Sequence, residues 1–104
     1  MKQIINGKTY NTETATRLCD VSASGCNSSD FEWWSETLYQ TAKGAYFLHG
    51  KGGGLSRYAV TYSDGVRTSG ARLEALTRDE AIEWAERREI DPDELPEDLR
   101  PEEA

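Results

Sequence analysis

Apolar and polar residues alternate most regularly in the middle of the chain. Over residues 31–41, every second side chain falls on the same side of an extended chain, with Trp34 and Leu38 on one side. Lys43-Gly44 favours a turn, and residues 45–49 form a second, mostly apolar run. This pattern predicts a β-hairpin at the centre of the fold.

The clearest helix signal lies near the C-terminal end. Thr77 and Glu80 have the spacing of a capping box, in which each side chain binds the other residue's backbone N–H. Behind them, Ala81 and Trp84 fall on one side at helical spacing, with no Gly or Pro between them. We predict a helix over residues 78–88.

A second helix is predicted near the N-terminal end. Asn11 or Thr12 can cap a short helix that carries Leu18 and Cys19 on one face. Residues 21–30 are rich in Ser, Gly and Asn, which is typical of a loop, so this helix should end before them.

These elements predict an α+β fold, with an antiparallel sheet of three to five strands and two main helices packed on it. Residues 1–90 form the single α+β domain in this interpretation. Residues 91–104 are acidic and contain prolines, so we expect them to form a frayed C-terminal tail. The expected core members are Trp33 or Trp34, Leu38, Phe47, Leu48 and Trp84.

Charge is concentrated at the C-terminal end. The 104 residues include 12 Lys and Arg and 19 Asp and Glu, a net charge of -7. Residues 1–76 sum to +1 and residues 77–104 to -8. Because phosphates attract positive charge, we expect no direct nucleic-acid partner. The chain has neither a long apolar run nor the pattern of a signal peptide, so we expect a cytoplasmic protein without a membrane partner.

The predicted C-terminal helix carries much of this charge on one face. Asp79, Glu83 and Glu86 cluster opposite the apolar side, with axial offsets of about 6 and 4.5 Å. Those offsets are of the same order as the ~3.4 Å of axis per phosphate in one nucleic-acid strand. The residues that we assign to this acidic surface are Asp79, Glu83, Glu86, Asp91, Asp93, Glu94 and Glu97.

Two interpretations of the acidic surface remain open on the residues alone. A rigid row of carboxylates could occupy a Lys/Arg channel that normally holds DNA or RNA. The alternative is a solvated helix face in which Glu83 and Arg87 form an i,i+4 ion pair.

Cysteine and histidine indicate neither a metal site nor a catalytic pair. Cys19, Cys26 and His49 are the only such residues, whereas a structural zinc site needs four ligands, commonly in close pairs. Nucleophilic catalysis needs a base beside the thiol, and nothing in the sequence places His49 there. We therefore predict two reduced thiols, no metal and no catalytic residue.

A glycine-rich run covers residues 50–54. Glycines can let backbone amides converge on a phosphate, but Lys51 is followed by Gly52 rather than by the Ser or Thr of a P-loop. The run is too rich in glycine for a regular element, so we expect a loop that permits positive φ or close packing against Trp33 or Trp34. We predict no enzyme activity and no cofactor.

Three blocks of sequence carry a resemblance to known proteins. The central block, ETLYQTAKGAYFLHGKGGGLSRYA over residues 36–59, resembles the centre of a family of small proteins encoded on bacterial phages and plasmids. The blocks KTYNTETA (residues 8–15) and LTRDEAIEWA (residues 76–85) are similar to the same family. The loop around Cys26 and the chain after Glu89 depart from the pattern.

The resemblance implies a function in the class of anti-CRISPR inhibitors, which include compact acidic proteins, and it transfers no site residue. We therefore expect a non-enzymatic inhibitor that binds a host CRISPR–Cas protein and blocks nucleic-acid access. The alternative is a small regulatory or adaptor module of a mobile genetic element, which binds another protein through aromatic residues such as Trp33 or Tyr39.

Overall fold

A computed structural model describes residues 1–23 and 32–100. Its elements are β1 (Lys2–Ile5), β2 (Lys8–Asn11), β3 (Thr16–Ser22), β4 (Trp34–Gln40), β5 (Tyr46–Gly52), β6 (Val60–Thr61), β7 (Arg67–Thr68), β8 (Gly70–Leu76) and α1 (Arg78–Arg87), followed by 3-10 helices at Pro92–Glu94 and Glu97–Leu99. The main sheet is antiparallel, with four strands in the order β3-β4-β5-β8. β1 pairs with β2 and β6 pairs with β7 in two small ribbons.

The predicted central hairpin is confirmed. β4 and β5 pair in register from Trp34 opposite Gly52 to Gln40 opposite Tyr46. Gly44 has φ +91°, which is the left-handed conformation that the short turn requires and that glycine adopts without strain. The second strand extends further than predicted, because Gly50 and Gly52 belong to β5 instead of to a loop, whereas the first strand is shorter than the predicted residues 31–41.

The predicted N-terminal helix is wrong, and so is the fold with two main helices. The amide of Ala15 does donate to the Asn11 carbonyl (3.1 Å), but this makes one turn only. From Thr16 the chain continues as β3, where Cys19 pairs with Leu38 of β4. Pairing with an apolar neighbour distant in sequence overrides the local capping signal. Within residues 1–23 and 32–100, α1 is the only α-helix, and antiparallel sheet dominates the fold.

The sheet has a different partner on each face. On one face, Leu38 and Leu48 pack with Trp84 of α1 in the larger hydrophobic core. On the other face, Phe47 and Leu73 pack with Tyr10 of the β1–β2 ribbon. Of the predicted core members, Leu38, Phe47, Leu48 and Trp84 are buried, whereas Trp33 and Trp34 are half-buried.

The chain after α1 returns to the larger core. Leu95 and Leu99 are buried there beside Trp84, so residues 91–100, which we call the C-terminal segment, are packed rather than frayed. Leu95 directly follows the first 3-10 helix and Leu99 is the last residue of the second. The two leucines are four residues apart, and both side chains face α1. Residues 101–104 of the predicted tail, and residues 24–30 of the predicted loop with Cys26, lie outside the described residues.

Replacing Phe47 with alanine tests the smaller core. The Phe47 ring is fully buried, stacks on Tyr39 at 5.1 Å and meets Tyr10 edge-on at 5.4 Å between ring centroids. Removing it leaves a cavity, so we expect Phe47→Ala to lower the free energy of unfolding by about 3–5 kcal/mol in urea denaturation. The matched change Tyr62→Ala, at an exposed side chain, should cost about 0.5 kcal/mol or less. Equal effects of the two changes would contradict this core.

Candidate protein-binding surface

The capping box at Thr77 fixes the start of α1 and therefore which side chains face outward. The Thr77 hydroxyl accepts from the Glu80 amide at 3.1 Å, and the Glu80 carboxylate accepts from the Thr77 amide at 3.0 Å. This confirms the predicted box, and it places Trp84 in the core. Asp79, Glu83 and Glu86 are all exposed on the outer side.

The C-terminal segment is held along the helix by its own polar contacts. The Arg78 guanidinium donates to the Asp98 carbonyl at 2.8 Å, and Arg100 donates to the Leu95 carbonyl at 3.1 Å. The Asp91 carboxylate caps the first 3-10 helix by accepting from the Asp93 amide at 2.9 Å. These contacts give the exposed acidic side chains a fixed backbone.

The carboxylates of α1 and the C-terminal segment are not neutralised. Among residues 1–23 and 32–100, the acidic partners in salt bridges are Asp20, Glu36 and Glu74, all outside this region. The Glu83–Arg87 ion pair that a solvated face would favour is not formed. Three of the four arginines of this region, Arg78, Arg88 and Arg100, instead bind carbonyls or the buried Glu36.

The acidic surface wraps around the packed segment and does not form one straight row. Glu86 lines a groove between α1 and the C-terminal segment. Glu94 lies beside Asp20 and Arg17 of the edge strand β3. Glu97 lies beside Arg78 at the start of α1. Asp79 and Glu83 therefore share the helix face with Glu86, whereas the others border it on two sides.

A buried carboxylate positions α1 against the sheet. Glu36 of β4 is fully buried, and its Oε1 accepts from Trp84 Nε1 at 2.8 Å and from Arg88 Nε at 2.7 Å. Its Oε2 accepts from Arg57 at 2.9 Å and from the Tyr58 hydroxyl. Four donors from the helix and from the loop after β5 thus converge on one side chain, which we call the Glu36 cluster.

The hydrogen bonds keep Glu36 ionised despite its burial. Burial alone would raise its pKa, but hydrogen bonds from Arg88, Tyr58 and Trp84 outweigh burial and lower the pKa below its ordinary value of 4.5. The effect on Tyr58 is the opposite, because burial and the adjacent carboxylate raise its pKa. At neutral pH the cluster therefore contains a carboxylate anion, a neutral phenol and two guanidinium cations.

Glu74 and the Trp34 ring extend the cluster toward solvent. The Glu74 carboxylate accepts from Arg57 at 2.7 Å and from Arg72 at 2.9 Å. The Arg88 guanidinium lies 4.1 Å from the centroid of the Trp34 ring. Each of these arginines therefore has a fixed partner, which is typical of a structural network.

The glycine-rich run serves the same cluster. A Cβ added at Gly50 would lie 1.9 Å from the Tyr58 ring, so Tyr58 reaches Glu36 only over a residue without a side chain. A Cβ added at Gly52 would lie 2.3 Å from the Ser56 hydroxyl oxygen and 2.7 Å from the Trp33 carbonyl oxygen. Close packing is therefore the reason for these two glycines, chiefly against Tyr58 rather than against a tryptophan ring.

The cysteine and the histidine that the structure describes do not meet. Cys19 packs in the larger core beside Leu38, and burial raises the pKa of its thiol to about 11. His49 follows Leu48 in β5 and so points to the opposite face of the sheet. Burial there, with Lys51 nearby, lowers the pKa of His49. Cys26 lies outside the described residues.

The aromatic residues proposed for the adaptor interpretation are largely engaged within the fold. Trp33 is half-buried, and Lys51 Nζ lies 5.8 Å from its ring centroid. Tyr39 stacks on the buried Phe47 ring. Neither ring offers the fully exposed anchor that this interpretation expects.

Sequence reasoning missed the Glu36 cluster and the contribution of Glu89 to the groove. The alternation that places Trp34 and Leu38 on the inner face of β4 also places Glu36 there, between them. A charged residue at an inward position needs partners, and that signal was present in the sequence. Arg57, Tyr58 and Arg88 lie too far away in the chain for sequence spacing to identify them.

Comparison of the chain with protein-family models, with curated proteins and with solved structures finds no match. Within the described residues, no helix is long and apolar enough to cross a membrane.

Replacing Glu36 with glutamine tests the cluster. Glutamine keeps one acceptor but removes the charge that Arg57 and Arg88 need, and breaking a buried pair costs about 3–5 kcal/mol. Because the Arg57 side chain is 41% exposed, we expect the lower end, about 3 kcal/mol at pH 7 by urea denaturation.

The effect of the Glu36→Gln change should depend on pH. A carboxylate with a lowered folded-state pKa stabilises the fold above its unfolded pKa, near 4.5, and loses this contribution as the pH falls through the lower folded value. The difference between wild type and variant should therefore shrink below pH 4.5. A difference that stays constant from pH 7 to pH 3 would contradict ionisation of Glu36.

Proposed function

We propose that this protein is a non-enzymatic inhibitor of the anti-CRISPR type, which binds a Cas effector protein in the cytoplasm of a bacterial host and blocks nucleic-acid access. The observation that carries the proposal is the set of exposed, unpaired carboxylates on α1 and the C-terminal segment. Residues 78–100 contain ten acidic and four basic residues, a sum of -6. Such a field complements a channel lined with Lys and Arg.

The fixed backbone under these charges supports the same proposal. Binding is tighter when a surface is ordered before it meets its partner, because less conformational entropy is lost. Here the hydrogen bonds from Trp84 and Arg88 to Glu36 hold α1 against the sheet. The burial of Leu95 and Leu99 in the larger core holds the C-terminal segment. A frayed acidic tail would lack this advantage.

The resemblance to phage- and plasmid-borne proteins supports the class of function. Its central block, residues 36–59, includes Glu36, Gly50, Arg57 and Tyr58 of the cluster that positions α1. The block that resembles the family therefore contains the residues that hold α1 in place beneath the acidic surface. The acidic C-terminal segment is the part that would adapt this chain to its own partner.

Reversing the charge of Asp79, Glu83 and Glu86 to lysine tests the proposal. We expect the triple variant to remain folded, because all three side chains are exposed and each change should cost about 0.5 kcal/mol or less. Wild-type protein should displace fluorescent guide RNA or target DNA from a panel of purified Cas effectors, measured by anisotropy. The triple variant should displace none, because like charges across an interface cost several kcal/mol.

A matched variant separates local charge from net charge. Reversing the exposed Glu13, Glu32 and Asp64 to lysine gives the same net charge of -1 on surfaces outside α1 and the C-terminal segment. We expect this control to displace nucleic acid as the wild type does. Unchanged displacement by the Asp79/Glu83/Glu86 variant at low salt would exclude nucleic-acid mimicry by α1, and displacement from no effector would exclude a Cas partner.

The salt dependence of binding is a separate expectation. Contacts between exposed charges are screened as the Debye length falls from about 30 Å at 0.01 M to about 3 Å at 1 M salt. We therefore expect the affinity for the effector to fall steeply between 0.05 and 0.5 M NaCl in the same anisotropy assay. Affinity that is insensitive to salt would instead favour the adaptor interpretation, with an apolar contact surface.

A further inference from the structure

The groove between α1 and the C-terminal segment combines apolar walls with carboxylates. Its volume is about 320 Å³, and Ile82, Ile90, Leu95 and Leu99 contribute apolar lining. Glu86 and Glu89 line the same groove, and both are exposed. Within the described residues, neither forms a salt bridge. The nearest cation of the segment, Arg100, binds the carbonyls of Pro92 and Leu95 instead.

The backbone conformation at Glu89 is unfavourable for a glutamate. Glu89 has φ +55°, and its amide donates to the Glu86 carbonyl at 3.2 Å just after the helix ends. Glycine or asparagine is preferred at this position, because other residues strain the left-handed conformation. A carboxylate at a helix C-terminus also opposes the helix dipole. The left-handed backbone at Glu89 itself ends α1, because the Ile90 amide then donates to the Ala85 carbonyl at 2.9 Å. Glycine would adopt this conformation without strain and without a carboxylate at the helix end, so folding does not account for a glutamate here.

We propose that this groove binds an arginine side chain of the protein partner. The aliphatic stem would lie on Ile82, Ile90 and Leu95, while the guanidinium would meet the carboxylates of Glu86 and Glu89. Arginine fits better than lysine, because its planar guanidinium is less strongly hydrated and can bind two carboxylates at once. The inference rests on the proposed function, since it names the group that the acidic surface receives from a basic channel.

Nona-arginine provides a probe, and nona-lysine a comparator of equal charge. We expect nona-arginine to shift the methyl NMR signals of Ile82, Ile90, Leu95 and Leu99 in a saturable way. Nona-lysine should bind several-fold more weakly and shift these methyl signals less. Binding of both peptides without shifts at these methyls would overturn the groove as the site, and so would equal shifts by the two peptides.

Variants at Glu89 separate binding from folding. Glu89→Gln removes the charge but keeps the residue's shape, and we expect about tenfold weaker nona-arginine binding. Glu89→Gly should weaken binding to the same degree while the melting temperature stays equal or rises, because glycine relieves the strained backbone. Glu13→Gln removes the same charge at an exposed position outside the acidic surface and should weaken binding by no more than about threefold.

Equal losses for Glu89→Gln and Glu13→Gln would overturn the groove proposal, because binding of nona-arginine would then follow net charge alone. A fall in melting temperature for Glu89→Gly would show that Glu89 serves the fold instead. Failure of the proposed function is distinguishable, because it appears as an unchanged effector interaction of the Asp79/Glu83/Glu86 variant. Glu89, the decisive residue of the groove experiment, is unchanged in that variant, and the two experiments use different probes.

Discussion

The fold depends on a fully buried carboxylate that must keep all of its donors. Glu36 lies between Trp34 and Leu38 on the face of β4 that supports α1, where an unpaired charge would be very costly. Trp84 and Arg88 come from the helix end, and Arg57 and Tyr58 come from the loop after β5. Donors from two separate elements must reach this side chain together, so the requirement constrains the orientation of α1 as well as its position.

The same requirement separates the charges of the molecule. Arg88 belongs by sequence to the acidic C-terminal region but points inward to Glu36, and Arg57 and Arg72 gather around Glu74. These three arginines are thereby engaged by Glu36 and Glu74 and do not neutralise the acidic surface. An acidic face of fixed shape results from a folding contact rather than from composition alone.

The sequence could predict the features that depend on neighbouring residues, but not those that depend on contacts between distant parts of the chain. The hairpin of β4 and β5 and the capping box at Thr77 depend on neighbouring residues, and both were predicted. The strand β3 was mistaken for a helix, because Asn11 offers a cap and only pairing with β4 shows that Cys19 faces a sheet. The exposure of Asp79 and Glu83 followed from helical spacing. The groove could not be predicted, because it needs Leu95 and Leu99 to be packed rather than frayed.

The stability of the fold does not by itself explain the order of charges along α1. Asp79 and Glu80 lie in the first turn, where carboxylates stabilise the helix dipole, and Glu80 completes the capping box. Glu86 and Glu89 lie at the other end, where the same charge opposes the dipole and Arg88 turns away toward Glu36. The last turn does carry one cation, Arg87, but a helix selected only for stability would have glycine in place of Glu89 and no carboxylate at Glu86. Since these unfavourable charges border an apolar groove at the protein surface, binding of the proposed cationic partner would account for both features together.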